Sequence, residues 1–599
     1  MPIAFGAVAL LFILSIAAGP AAAARQSVLP PTSKPNFVVI QTDDQTIDSL
    51  YATFTPPGGQ PIPVMPNTLA LIADKGVSLT RYYVSYPLCC PSRVSLLTGR
   101  YAHNHNVRGN VQPNGGYLGF SFRGANSNNL ATWLQGAGYR TIHIGKFLNG
   151  YGDEPYDNGT TVPPGWSAWH TTLKADTNHY FYGYQLNNNG VIEGPYGDFG
   201  SWDTREYGKI DDFGCPTMPL DGQPCLYETD VFNRIASEEM FGTPAETPFY
   251  LQLDYTAPHG DFRRPAGPQP ATRHYNSFAG ARLPHSREQG VNEGNVADKP
   301  KFIRDAPFLS PQELHTYRVY YEKQLESLRS IDEGVKQVVD TLGALGRLRN
   351  TYIIFTSDNG FFFGEHRLTG GKFIAYEPAT HLPFLMRGPG IKPGTSTGEL
   401  TMNIDIAPTI LELAGATATK SVDGRSLVPY VTDTTLRSRR PLLFESFVET
   451  NDVNANGQEP AEPAPAARAS GGAQASSQSE ATASIVAPPK DYVGIRLGPF
   501  KYIEWPSGEK ELYDITKDQY ELNNLAKDAN YAPIRNFLRT QLFELKECSG
   551  RACREPVPKL PLTKKQQLEV KRQKEREQRE REREQERREQ KQKEQQQKK

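Results

Sequence analysis

The sequence predicts an α/β fold on a largely parallel central sheet, followed by a smaller antiparallel-sheet unit. Two observations carry the first part. Short apolar, β-rich runs alternate with helical patterns, as expected of strands covered on both faces. The runs also end alike, in polar or charged residues. Phe37–Gln41 meets Asp43-Asp44, Thr141–Ile144 meets Gly145-Lys146, Phe249–Leu253 meets Asp254 and then His259, and Tyr352–Phe355 meets Asp358-Asn359. Ligands of open parallel sheets bind beyond the carboxyl ends of the strands. Asp, Lys, His and Asp/Asn delivered to one edge therefore predict a site there.

In chain order, residues 1–24 read as a secretory signal peptide: Ile3–Ala24 is apolar and ends in alanines before Arg25. The absence of Lys and Arg ahead of the apolar run leaves an uncleaved anchor as the alternative. No later run is long and apolar enough to span a bilayer, so a secreted or extracytoplasmic protein is expected. Residues 34–435 form the expected main domain, with helices over Leu130–Ala137 and from about Pro311 to Leu345. Residues 436–547 form the smaller unit, with strands near Leu442–Glu445, Tyr492–Leu497, Tyr502–Trp505 and Leu512–Asp514. A helix over about 529–545 follows. Residues 451–490, rich in Ala, Pro, Ser, Gly and Gln, interrupt it as a disordered insertion. The tail 564–599 is Glu, Arg, Lys and Gln without a coiled-coil seam. It is expected to be a disordered, solvated tail with transient helix.

With 65 basic and 66 acidic residues in 599, the net charge of −1 implies no nucleic-acid partner. Two close-spaced cysteine couples, Cys215 with Cys225 and Cys548 with Cys553, suit local disulfides of an oxidising compartment. Zinc ligation competes weakly, because no C-x-x-C or H-x-x-x-H spacing accompanies them. Asn158-Gly159-Thr160 is a glycosylation sequon.

The chemistry concentrates in Cys89-Cys90-Pro91-Ser92-Arg93-Val94-Ser95-Leu96-Leu97-Thr98-Gly99-Arg100. Cysteine followed by proline and arginine ahead of a short apolar helix pattern puts a thiol at a first helical turn, where free N–H groups favour anions. Read alone, Cys89 and Cys90 would be buried thiols. Asp43-Asp44 after one strand and Asp358-Asn359 after another supply oxygen donors for a hard divalent cation, although a lone Asp-Asp pair is ordinarily a solvated turn.

The pattern C-x-P-S-R-x-x-x-L-T-G resembles the signature of type I sulfatases, within the alkaline phosphatase superfamily, and the likeness extends over about Lys34 to Asp528. It implies an alkaline-phosphatase-like sheet and a sulfuric ester hydrolase whose Cys89 is oxidised to formylglycine by a formylglycine-generating enzyme. It further implies a calcium ion, or magnesium, held by Asp43, Asp44, Asp358, Asn359 and the modified Cys89. Arg93 matches the motif arginine, Lys146 and Lys372 the two sulfate-contacting lysines, and His259 in Ala257-Pro258-His259 the sulfate-binding or proton-donating histidine. An imidazole suits proton transfer near neutral pH.

One departure stands out. Many relatives carry Gly-Lys-Trp-His at the first lysine, whereas this chain reads Gly145-Lys146-Phe147-Leu148-Asn149. His103 and His105 are the candidates to replace that histidine or to touch substrate. The motifs Cys-Cys-Pro-Ser-Arg, His-Asn-His-Asn-Val, Gly-Lys-Phe-Leu-Asn-Gly-Tyr-Gly and Pro163-Pro164-Gly165-Trp166 resemble N-acetylglucosamine-6-sulfatases and extracellular heparan endosulfatases, which implies a sulfated carbohydrate substrate. The alternatives are an arylsulfatase, a phosphatase or phosphotransferase of the same superfamily, and a non-catalytic glycan-binding relative with unconverted Cys89. The Cys-x-Pro-Ser-Arg motif argues against the phosphatase.

Overall fold

The computed structural model describes residues 34–153, 157–173, 179–196, 226–261, 267–368, 371–447 and 491–597. The expected leader, the Cys215–Cys225 couple and the insertion at 451–490 lie outside them. The large sheet contains β1 (Asn36–Thr42), β2 (Val77–Leu79), β3 (Arg140–Gly145), β4 (Ala168–Thr172) and β5 (Tyr184–Asn188). It is completed by β6 (Val191–Tyr196), β7 (Phe249–Asp254), β8 (Thr351–Ser357), β9 (Phe384–Arg387) and β10 (Thr395–Thr397). Their spatial order is β10-β2-β9-β8-β1-β7-β3-β4-β5-β6. From β8 through β1, β7 and β3 to β4 every pairing is parallel, and β9 and β5 add antiparallel on either side.

The central strands alternate between two cores. Val38 and Ile40 of β1 face one with Leu251, Leu253, Ile353 and Phe355, while Phe37 and Val39 face the other with Tyr250, Tyr352 and Ile354. Burial on both faces explains why these strands are apolar at nearly every position. The second core is covered by α1 (Cys89–Thr98) and α2 (Leu130–Gly136). The first is covered by α3 (Pro311–Ala344), whose Leu325, Leu328, Ile331 and Val335 lie at helical spacing. Ser310 and Glu313 close a capping box at the start of α3, and Pro311 occupies its first turn.

The C-terminal unit is a four-stranded antiparallel sheet, β11 (Leu442–Ser446), β12 (Tyr492–Leu497), β13 (Phe500–Glu504) and β14 (Lys510–Asp514), in that order. α4 (Ala532–Leu545) packs on it through Ile534, Leu538, Leu542 and Leu545. The unit shares a core with Tyr83, Tyr101, Ile374 and Tyr376 of the main domain. Cys548 and Cys553 are joined as a disulfide. The tail differs from the disordered state read from its composition: Lys564–Gln597 is one exposed helix, α5. Its residues are strong helix formers, and pairs four apart, such as Gln578 with Glu582 and Glu584 with Arg588, bridge successive turns.

Candidate active site

The carboxyl ends of β1, β8 and β3 meet the first turn of α1. Asp43 and Asp44 follow β1 directly. Asp44 adopts φ 65°, a left-handed conformation that costs about 1 kcal/mol and aims successive carboxylates into one pocket. Asp358 follows β8, and its N–H donates to Thr42 O at 3.0 Å, which fixes the two strand ends together. Lys146 follows β3 across Gly145, which sits at φ 107°. A Cβ there would lie 1.9 Å from Asp254 O, so only glycine lets the two strand ends close and delivers the lysine. α1 begins at Cys89, every one of its residues is buried, and Gly99 ends it at φ 65°.

Three carboxylates face three cations. The Arg93 guanidinium donates from Nε to Asp358 Oδ2 at 2.9 Å, from Nη2 to Asp43 Oδ2 at 3.1 Å and from Nη1 to Lys146 O at 2.8 Å. Lys372 Nζ lies 2.6 Å from Asp44 Oδ1 and 3.0 Å from Cys89 Sγ. Lys146 Nζ pairs with Asp43 Oδ2 and lies 3.9 Å from Cys89 Sγ. Cys89 Sγ is 3.7 Å from Asp43 Oδ1, and His259 Nε2 is 3.6 Å from Asp44 Oδ2. His259 Nδ1 donates to Gly260 O at 2.8 Å, which leaves Nε2 facing the pocket.

Burial alone would raise the Asp43 carboxyl, but Lys146, His259, Arg93 and Lys372 together hold it well below the usual carboxylate range. Asp358 moves the other way, raised by burial and by Asp43 against the pull of Arg93. Burial and then Asp43 push the Cys89 thiol well up, against the pull of Lys146 and Lys372. As a cysteine, this residue is therefore a protonated thiol and a poor nucleophile. Cys90, also pushed up to about 12 by burial, accepts from the Asn149 N–H at 3.2 Å. It is a small buried residue, as expected.

The donor set fits a hard cation. Ligand atoms of Asp43, Asp44 and Asp358 lie within 4.8 Å of one another. Asn359 Oδ1 is buried beside them and accepts no hydrogen bond among the described residues. Oxygen-rich, mostly carboxylate donors of this kind suit calcium or magnesium over softer metals.

The pocket thus brings together Asp43, Asp44, Cys89, Arg93, Lys146, His259, Asp358, Asn359 and Lys372. It does not include His103 or His105. His103 Nδ1 pairs with Glu445 Oε2 at 2.7 Å and Nε2 donates to Cys548 O at 2.8 Å, so its ring ties the main domain to the C-terminal unit. Burial disfavours its charged form, yet the hydrogen bond to Glu445 and that residue's charge push it up to about 9. His105 is buried with the opposite outcome, held neutral well below its usual value. Its Nδ1 accepts the Val107 N–H, so Nε2 donates to Ser95 Oγ at 3.0 Å on α1. Both differ from the substrate-contacting role expected of them: their ring nitrogens bond to Glu445, Cys548 O, Ser95 and the Val107 N–H and not to any residue of the pocket. Leu148, where the resemblance leads one to expect histidine, is buried in the second core.

The histidine that does enter the pocket is His179. Its Nε2 lies 2.7 Å from Lys146 Nζ, and its ring centroid is 4.1 Å from that of His259. Burial, Lys146 and His259 hold it well below the usual imidazole value, so it is neutral and can accept from the lysine. It stands in a loop before β5 with no motif around it. The sequence signal that could have found it is the histidine missing at Leu148, which makes a candidate of each of the chain's 11 histidines and not only of His103 and His105.

Carboxylates, lysines and an imidazole around a buried helix-start cysteine at the ends of parallel strands fit the sulfuric ester hydrolase class that the following comparisons show. The chain belongs to the sulfatase family, whose model, Sulfatase, matches residues 35–416. It is 32% identical over 574 residues to an arylsulfatase of Volvox carteri, covering 91% of this chain and 78% of that one. It is 30% identical over 535 residues to N-acetylglucosamine-6-sulfatase of Homo sapiens, covering 88% and 87% respectively. Among solved structures it superposes on BT4656 in complex with its substrate D-glucosamine-2-N,6-O-disulfate with a TM-score of 0.61. That match has 22% identity and covers 86% of this chain and 98% of that one.

Proposed function

We propose that this enzyme releases sulfate from a sulfated sugar or glycan, using formylglycine made from Cys89 and a calcium or magnesium ion. The observation that carries the reading is the pocket itself. A cysteine too poor a nucleophile to act as a thiol has Lys372 at 3.0 Å and stands among three carboxylates aimed at one point. When present, formylglycine supplies an oxygen nucleophile and the cation supplies charge that acidifies it and offsets the sulfate oxygens.

The chain's own side chains divide the remaining work. Asp43, Asp44, Asp358 and Asn359 would hold the cation. Arg93 bridges Asp43 and Asp358 and so keeps those carboxylates fixed while substrate enters. Lys146 and Lys372 stand at the sulfur position, where their ammonium groups can take sulfate oxygens. His259 presents Nε2 to the pocket and is suited to protonate the leaving oxygen. His179, neutral and against Lys146, orients that lysine, whose charge the Asp43 carboxylate sustains.

A sugar ester is supported by the N-acetylglucosamine-6-sulfatase relative and by the glucosamine disulfate bound in BT4656. The arylsulfatase of Volvox carteri favours a second reading, a small aryl ester. Export is supported by extracellular sulfatase relatives of Caenorhabditis elegans and Drosophila melanogaster. No helix among the described residues is long and apolar enough to cross a membrane. Sulfate release from N-acetylglucosamine-6-sulfate and from an aryl sulfate should be compared on one preparation, with mass spectrometry of the Cys89 peptide. The sugar ester should give the higher kcat/KM and the peptide the aldehyde mass. A preference for the aryl ester would replace the substrate, and an unmodified thiol in active protein would remove the mechanism.

A further inference from the structure

Where β14 and α4 meet the Asp298–Arg304 segment, a cavity of about 470 Å³ opens, a size suited to a sugar unit. Its lining is basic. Lys299, Arg304, Lys510, Lys527, Arg535 and Arg539 outnumber Asp298 and Glu509. The two carboxylates are already engaged. Asp298 accepts from Lys299 Nζ at 2.9 Å and from the Asn524 N–H at 2.6 Å, and Glu509 accepts from the Lys301 N–H and Arg304 Nη1, each at 3.0 Å. On the cationic side, much is left over. Lys510 and Lys527 are exposed and have no side-chain partner among the described residues. Arg535 donates to a neutral carbonyl, that of Ala526.

The groove continues. Arg539 and Asn536 also line an adjoining cavity of about 430 Å³ that includes Phe543, an aromatic ring 70% exposed. This second cavity also carries Glu504, which accepts from Arg539 Nε at 2.8 Å, and Glu544, and the Lys546 ammonium lies 4.8 Å from the Phe543 ring centroid. Cations for an acidic substituent beside an exposed aromatic ring suit an acidic saccharide. None of these residues belongs to the pocket around Cys89.

We propose that this groove is a second saccharide-binding site, which takes an acidic sugar unit of a glycan through Lys510, Lys527 and Arg535 and seats a neighbouring unit on Phe543. It extends the reading above, since it supposes a glycan rather than a small ester as the natural ligand. Its role is to hold the chain, so it acts on affinity for long substrates and leaves the chemistry of a monosaccharide untouched.

The test is equilibrium binding of full-length protein carrying Cys89→Ala, which leaves the probe intact. The probes are a sulfated polysaccharide, an unsulfated polyuronate and a neutral polysaccharide. Adding Lys510→Glu and Lys527→Glu should weaken the sulfated probe about tenfold, equivalent to 1.4 kcal/mol, and reduce the salt dependence of its binding. Parallel weakening of the polyuronate assigns the site to acidic sugars in general, and loss confined to the sulfated probe assigns it to sulfate. The pair Lys591→Glu and Lys593→Glu on α5, with the same charge change, should leave binding intact. Equal loss in that control, no loss in the groove variant, or neutral-polysaccharide binding as tight as the sulfated would each overturn the proposal. With Cys89 native, the groove variant should keep kcat/KM on N-acetylglucosamine-6-sulfate. A protein that hydrolyses no sulfate ester yet binds through the groove would sink the catalytic reading and leave this site standing.

Discussion

The pocket around Cys89 and the junction around His103 are built from the same ingredients, buried carboxylates facing basic side chains, and they differ in what remains open. At the junction both ring nitrogens of His103 are engaged, by Glu445 and by Cys548 O. In the pocket three carboxylates and three cations converge, with Lys146 and Lys372 both reaching toward one sulfur and Asn359 Oδ1 left without a donor among the described residues. A closed set of contacts holds two units together, whereas a convergent and incompletely satisfied one is suited to bind and react.

The sharpest way to break this contrast is Cys89→Ala. It should reduce sulfate release at least about 1,000-fold while leaving thermal unfolding nearly unchanged. Retained activity, measured as released sulfate, would move the reacting group elsewhere. Next is His259→Asn, expected to lower kcat by about 100-fold if Nε2 delivers the proton. A rise confined to KM would make it a sulfate-binding group instead.

The junction is tested by pH. His103 rises from the ordinary 6.5 to about 9 on folding, so the folded state binds the extra proton between those values. Its contribution is complete below about 6.5 and is lost as pH rises through 9. Urea unfolding should show about 3 kcal/mol of stability disappearing over that window, and His103→Gln should flatten the slope while sparing turnover in the folded protein. A variant that instead loses kcat would restore His103 to the site. The smallest effect is expected of His179→Ala, about tenfold in kcat/KM, the worth of one charge-assisted hydrogen bond to Lys146. An unchanged kcat/KM would separate His179 from the lysine's function.

Much of this arrangement was legible in the chain. The apolar runs that became β1, β3, β7 and β8 are continuous because two cores cover them, and their ends carry the polar residues because ligands meet a parallel sheet there. Motifs in which neighbouring residues act together, such as Asp43-Asp44 and Cys89 with Arg93, could be read locally. His103 and His105 could not. They follow the cysteine motif closely, but the short helix Ala102–His105 turns one toward Glu445 and the other toward Ser95. α5 was obscured for a different reason: its helix rests on pairs four residues apart and has no apolar face to give a periodic pattern.

By itself, the sequence determined the α/β class, the strand ends that meet at the candidate site and the cysteine proposed to react, since each is written in residues adjacent along the chain. Only the tertiary structure decided that His179 enters the pocket, that His103 leaves it and that cations from Asp298–Arg304, β14 and α4 meet in one groove. Those outcomes depend on side chains distant in sequence. Their approach is set by how loops and layers pack around the sheet, which no local pattern encodes.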